Sequence, residues 1–157
     1  QSQTEEPVNA VNAQYFARER GLEIEEVKSH AVSDYTTLVE ATLETDKGGL
    51  RLAGTVFSKS LPRIMAVDDY RMEMVPAGRL LISFNDDKPG VIGTVGSLFG
   101  RHGINIGSLT FGRKKETQRA VLVLTLDSEP SQEVLQEVAA LPFMHSVNYI
   151  PLPDLEN

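Results

Sequence analysis

Two asparagines and an aspartate carry the first chemistry this sequence offers. Asn85 and Asp87 sit on a run of turn-forming residues, Asp86-Asp87-Lys88-Pro89-Gly90, and Asn105 follows the helical segment that this run introduces. An amino-acid zwitterion needs an acceptor for its ammonium and donors for its carboxylate. Asp87, with the side chains of Asn85 and Asn105, supplies the first and part of the second. Backbone N–H groups at the start of the helix, aided by its dipole, supply the rest. Pro89 has no N–H to give but presets φ ahead of the helix, and Gly90 admits a ligand or a neighbouring backbone at close range. The same residue types also serve without a ligand, Asp87 as a helix cap and Asn105 in a turn, and the spacing fits both uses.

A second candidate is the basic pair Lys59 and Arg63 around Ser60-Leu61-Pro62, which could hold an anion or stand as a solvated pair beside a loop. Other chemistries lack their parts. Gly93, Gly96 and Gly100 fall inside a helical pattern rather than in a strand-to-helix turn, so they suit close packing on a neighbour better than phosphate binding. His30, His102 and His145 are isolated and not spaced as metal ligands, and His102 near a helix end complements the dipole. No G-x-S-x-G elbow occurs, and the Glu5-Glu6 and Glu25-Glu26 pairs read as solvated faces. No nucleophile, general base or metal site is expected.

Composition narrows the classes further. The chain has 157 residues, 41% hydrophobic and 24% charged, as in an ordinary globular protein, and no apolar run approaches the roughly 20 residues of a membrane helix. Fifteen Lys and Arg against 22 Asp and Glu give a net charge of −7, which leaves no basic stripe for nucleic acid. The absence of Cys removes disulfides, thiolate catalysis and zinc ribbons, fits a reducing cytoplasm, and no secretory segment opens the chain. Gln1 in place of Met predicts a piece of something longer. At this length two lobes would each be marginal alone, so packing between lobes or subunits is expected.

These residues must be positioned by two lobes. Residues 1–7 read as a tail or linker. In the lobe over 8–77, Asn9 can cap a helix over 10–20, with Val11, Ala13 and Phe16 near one face and Gly21 as its stop. Strands are expected over 22–30, 35–45, 50–59 and 70–75, with a glycine-bearing turn at 46–49 and a short apolar connection at 61–67. Pro76-Ala77-Gly78 marks the boundary. The second lobe, 78–152, reads β-α-β-β-α-β. Its strands are 79–85, 104–112, 119–127 and 146–151, and its helices 91–102 and 131–141, the first stopped by Gly103 and the second capped by Ser128 with Pro130 in its first turn. Residues 120–124 are apolar on both faces, as in a central strand. Residues 153–157 form a second tail. The fold class is α+β: a small α/β meander lobe, then a ferredoxin-like antiparallel sheet with helices on one face. Leu81, Val121 and Val123 point to apolar packing of the other face against another lobe or subunit, and a homo-oligomer is expected.

Asn85-Asp86-Asp87-Lys88-Pro89-Gly90-Val91-Ile92, followed by Leu98-Phe99 and His102-Gly103-Ile104-Asn105-Ile106, resembles an ACT domain, an amino-acid-sensing module. Pro7-Val8-Asn9-Ala10-Val11-Asn12-Ala13, Glu19-Arg20-Gly21-Leu22 and Leu52-Ala53-Gly54-Thr55-Val56-Phe57 resemble the allosteric-substrate-binding lobe of the longer D-3-phosphoglycerate dehydrogenases. The resemblance spans about 8–152. It implies the C-terminal regulatory portion of the NAD-dependent enzyme that commits 3-phosphoglycerate to L-serine synthesis, with L-serine bound between paired ACT domains to inhibit catalytic domains that have no counterpart here. Carried over by position, the L-serine contacts fall on Asn85, Asp87 and Asn105 beside Gly90, and the anion site of the first lobe on Arg63 with Lys59. NAD would belong to the parent enzyme and no cofactor to this chain. Three other readings stay open at this point: the regulatory region of a serine dehydratase, a purely structural oligomerisation module, and a small hydrolase on an acylphosphatase-like scaffold, which the place of Arg101 late in its helix disfavours.

Overall fold

The computed structural model describes residues 11–27, 37–46, 48–57, 61–114 and 116–153. They fall into two compact units, Gln1–Asp34 and Tyr35–Asn157.

In the first unit one helix, α1 (Ala13–Glu19), is shorter than its pattern suggested. Its N-cap is Asn12, Asn9 lies outside the described residues, and Val11 is exposed ahead of the helix, leaving Ala17 as the residue α1 buries. At its end the Gly21 N–H donates to Arg18 O at 2.9 Å and the Leu22 N–H to Ala17 O at 2.8 Å, the Schellman pattern that satisfies the last carbonyls. The strand expected over 22–30 does not form in 22–27, and 28–30 lie outside the described residues. Leu22 is taken up by the helix end, and Leu22, Ile24 and Val27 are exposed with no neighbouring strand to bond their backbone among the described residues.

The second unit holds two four-stranded antiparallel sheets. The first is a meander in chain order: β1 (Val39–Thr45), β2 (Gly48–Phe57), β3 (Leu61–Val67) and β4 (Tyr70–Met74). The segment 61–67, expected as a connection, is a full strand. Pro62 and Arg63 break its alternation, but pairing with β2 on one side and β4 on the other holds it extended. The second sheet, ordered β6-β7-β5-β8, comprises β5 (Arg79–Asp86), β6 (Ile106–Lys114), β7 (Arg119–Leu126) and β8 (Met144–Pro151). Helices α2 (Val91–Arg101) and α3 (Gln132–Ala139) complete the β-α-β-β-α-β order. Ser131, not Ser128, caps α3: its backbone is extended and its Oγ accepts from the Val134 N–H at 3.3 Å, with Pro130 just ahead of the helix. Gly103 ends α2 as expected, with the Ile104 N–H returning to Phe99 O at 3.0 Å.

Both faces of the second sheet are covered. On one, Leu81, Leu122, Leu124 and Leu126 pack with Val95, Leu98 and Phe99 of α2 and Val134 and Val138 of α3. On the other, Leu80, Val121 and Val123 meet Val67, Met72 and Met74 of the meander, with Tyr70 edge-on to Phe84 at 5.7 Å. The apolar face left by the helices is thus covered by the chain's own meander, and β5 presents Leu80 there rather than Leu81. Burying such side chains contributes roughly 1.5–3 kcal/mol each. β7 is central, with 120–124 buried throughout. Along the joint Thr110 Oγ1 donates to Glu73 O at 3.1 Å and Lys114 Nζ to Asp69 Oδ2 at 2.6 Å, tying β6 to the β3–β4 turn and strand.

Candidate functional site

At the end of β5 the chain turns through Asp87, Lys88, Pro89 and Gly90 into α2. Gly90 is the N-cap residue at φ +90°, a left-handed conformation that a side chain would strain, and its carbonyl accepts from the Thr94 N–H at 2.8 Å. As a glycine, the N-cap residue has no side chain to cap α2. Beside the turn lies an open cleft of about 380 Å³ whose lining includes Asp87, Lys88, Gly90, Ile92, Phe111 and Arg113.

Sheet register explains why these residues meet. Ala120 of β7 pairs with Asn85 on one side and Arg113 on the other, so the three form one row across β5, β7 and β6. Directly opposite residues share a face. From that row Arg113 reaches the turn, its Nε donating to Asp87 Oδ2 at 2.8 Å. The Asp87 side chain is only 12% exposed against 55% for Arg113. The turn after β6 helps hold it, since the Asp87 N–H donates to Gln118 O at 2.9 Å.

Asn85 is fully buried beneath the loop and outside the cleft lining. Its Nδ2 donates to Asp86 O at 2.7 Å, and its Oδ1 is a buried acceptor with no partner among the described residues. Asp86 gathers basic side chains instead, accepting from Lys88 Nζ at 2.7 Å, lying 2.7 Å from His145 Nε2, and facing Arg119 NH1 at 3.7 Å. The hydrogen bond from Lys88 holds its carboxyl below the ordinary value, with the charges of Lys88, His145 and Arg119 adding to the effect.

Asn105 is elsewhere. Its Nδ2 donates to Asp127 Oδ2 at 2.5 Å and its carbonyl accepts from the Asp127 N–H at 3.0 Å, a tie between the start of β6 and the end of β7. Asp127 follows Leu126, which pairs with Arg79 at the start of β5. Asn105 and Asp87 therefore stand at opposite ends of the sheet, separated by the length of β5, roughly 24 Å at about 3.4 Å per residue. One copy of the chain brings together Asp87, Gly90 and the buried Asn85, but not Asn105.

Arg63, on β3, is spoken for: its Nε lies 3.5 Å from Glu73 Oε1 and its NH1 donates to Pro62 O at 2.9 Å. Lys59 and His30 lie outside the described residues. His102 pairs with Glu137 Oε2 at 2.7 Å while Arg101 NH2 donates to Glu137 Oε1 at 2.9 Å, so the end of α2 is clamped to α3. Beyond the backbone of α2 itself, no atom among the described residues lies within 4 Å of where a Cβ would stand on Gly93, Gly96 or Gly100, so the close neighbour expected for them is not among those residues. Among those residues no cluster of His, Asp and Glu could hold a metal ion, and no helix is long and apolar enough to cross a membrane.

Arg113, Phe111 and the basic side chains around Asp86 were not legible as candidate site residues. The sequence shows 113–117 only as a charged turn, and their proximity to Asp87 arises from pairing across three strands.

Residues 1–68 match the family model of the D-3-phosphoglycerate dehydrogenase intervening domain, and residues 79–143 match that of the ACT domain. Among curated relatives, a D-3-phosphoglycerate dehydrogenase of Archaeoglobus fulgidus is 40% identical over 147 residues, covering 92% of this chain and 28% of the relative. One from Bacillus subtilis is 30% identical over 146 residues, covering 93% and 28%. A chloroplastic D-3-phosphoglycerate dehydrogenase of Arabidopsis thaliana is 25% identical over 158 residues, covering 92% and 27%. The chain spans about a quarter of the length of the curated relatives it matches.

Proposed function

The chain belongs to the D-3-phosphoglycerate dehydrogenase family as its C-terminal regulatory region, an intervening domain followed by an ACT domain, and from that premise we propose that it binds L-serine for feedback inhibition and joins copies of the parent enzyme. The observation that carries the reading is Asp87, a carboxylate at a cleft beside the start of α2 in the segment that matches an ACT domain. Asp87 accepts the ligand ammonium and the helix N-terminus faces its carboxylate, while Asn85 Oδ1, buried and outside the cleft lining, becomes a further acceptor when the turn shifts to uncover it. Asn105 joins the site from a second copy. A two-fold pair with antiparallel sheets sets the Asn105 end of one copy beside the Asp87 end of the other, which makes binding and association (dimer or tetramer) interdependent.

In this reading the lobes 8–77 and 78–152 are regulatory and hold no cofactor. NAD and the oxidoreductase chemistry of serine synthesis belong to the catalytic domains of a cytoplasmic parent. L-serine bridging two ACT domains favours one domain arrangement, and inhibition is no larger than its differential affinity for the two. An anion at Arg63 would have to displace Glu73, so the first-lobe anion site has less support than the cleft.

The test is isothermal titration of L-serine into the chain, with glycine and D-serine as comparators and Asp87→Ala as control. Saturable L-serine binding that the variant loses is expected. No binding at millimolar L-serine by a folded, associated chain would overturn the reading.

A further inference from the structure

The carboxylate that an incoming ammonium needs is already occupied. Arg113 and Asp87 line one cleft and are each other's partner, Nε to Oδ2 at 2.8 Å. The Arg113 side chain is 55% exposed, so water screens the pair and it opens at little cost. We propose that Arg113 is the carboxylate anchor of the amino-acid site, latched onto Asp87 until a zwitterion enters and exchanges with it. The ligand ammonium takes Asp87, and the displaced guanidinium takes the ligand carboxylate. This inference rests on the L-serine reading above and adds to it the residue that distinguishes an α-amino acid from a simple amine.

Charge and geometry favour the exchange. One ion pair becomes two, and the net charge in the cleft is unchanged because the zwitterion is neutral. Asp87 and Arg113 already line the cleft where the ligand must lie, and Arg113 stands in one row of the sheet with the small Ala120 and Asn85. The other cation lining the cleft, Lys88, is committed to Asp86, which His145 and Arg119 also hold, and an ammonium arriving at Asp87 disturbs none of those contacts. A lysine also offers a point charge, whereas the planar guanidinium fork matches a carboxylate with two parallel hydrogen bonds.

The experiment titrates L-serine and L-serinamide, which keeps the ammonium and hydroxymethyl but lacks the carboxylate, into the wild-type chain, Arg113→Gln and Arg113→Lys. Circular dichroism checks that each variant is folded. The wild type is expected to prefer L-serine by about tenfold or more, the worth of a charge-assisted hydrogen bond. In R113Q that preference collapses, with L-serine weakened and L-serinamide unchanged or tighter because nothing competes for Asp87. R113K, which keeps the charge without the fork, retains part of it. A folded R113Q that keeps the wild-type preference would overturn the anchor while leaving the L-serine site standing. Failure of the wild type itself to bind L-serine would overturn the underlying reading, and the anchor with it.

Discussion

Gly112 on β6 is where the two sheets of the second unit come closest to testing their fit. A Cβ there would stand 3.0 Å from Val121 Cγ1, 3.2 Å from Arg71 O and 3.2 Å from Met72 Cε. Met72 can bend away at its flexible end. Val121 cannot, being fully buried, and Arg71 O is backbone of β4, so relief requires β4 to move off β6. Overpacking of this kind costs about 1–3 kcal/mol. With roughly 2–4 °C of melting temperature per kcal/mol at about this size, Gly112→Ala should melt about 2–12 °C lower. Urea unfolding followed by circular dichroism gives the free energy directly. Gly96→Ala is the matched control: beyond its own helix backbone no atom among the described residues lies within 4 Å of its Cβ position, so the same added methyl should raise stability by up to about 1 kcal/mol through helix propensity. A Gly112→Ala midpoint equal to or above wild type would refute the packing of β4 against β6.

Ser131→Ala removes the cap on α3 and should cost about 1 kcal/mol in urea unfolding. Leu124→Ala, at a fully buried position between the sheet and its helices, should cost about 2–5 kcal/mol by the same assay. Acid sensitivity tests the α2–α3 clamp. The hydrogen bond with His102, then that from Arg101, holds the Glu137 carboxyl below its ordinary 4.5. A folded value below the unfolded one means that its stabilisation is complete above about pH 4.5 and is lost as pH falls through the folded value. The urea midpoint of Glu137→Gln should therefore fall less steeply than that of wild type as the pH is lowered below about 4.5. Parallel slopes would show that the clamp contributes nothing. Lys114 behaves oppositely: Asp69 raises it above 10.5, so its contribution persists below that pH and is lost as pH rises through the folded value, a change that Lys114→Met should abolish.

Where the signal is local, the sequence was enough. Gly21 and Gly103 end their helices because the left-handed turn they supply is a property of a few consecutive residues. Residues 120–124 lie in the centre of a sheet because five successive apolar side chains leave no polar face for water. The turn at 86–90 and the helix after it follow from Pro89 and Gly90. Where the signal depends on partners, it was not. Leu22, Ile24 and Val27 alternate, yet among the described residues they have no strand to pair with, while the segment 61–67, broken by Pro62 and Arg63, is a strand because β2 and β4 flank it.

The candidate site divides in the same way. Its loop, its acidic residue and its left-handed glycine belong to one stretch of chain, and residue type alone determined them. Arg113 against Asp87, Asn85 buried without a donor, and Asn105 tied to Asp127 at the far end of the sheet were decided by the tertiary structure. The register that pairs Ala120 with both Asn85 and Arg113 is selected by the whole apolar surface buried between the sheets and helices, and no window of neighbouring residues contains it.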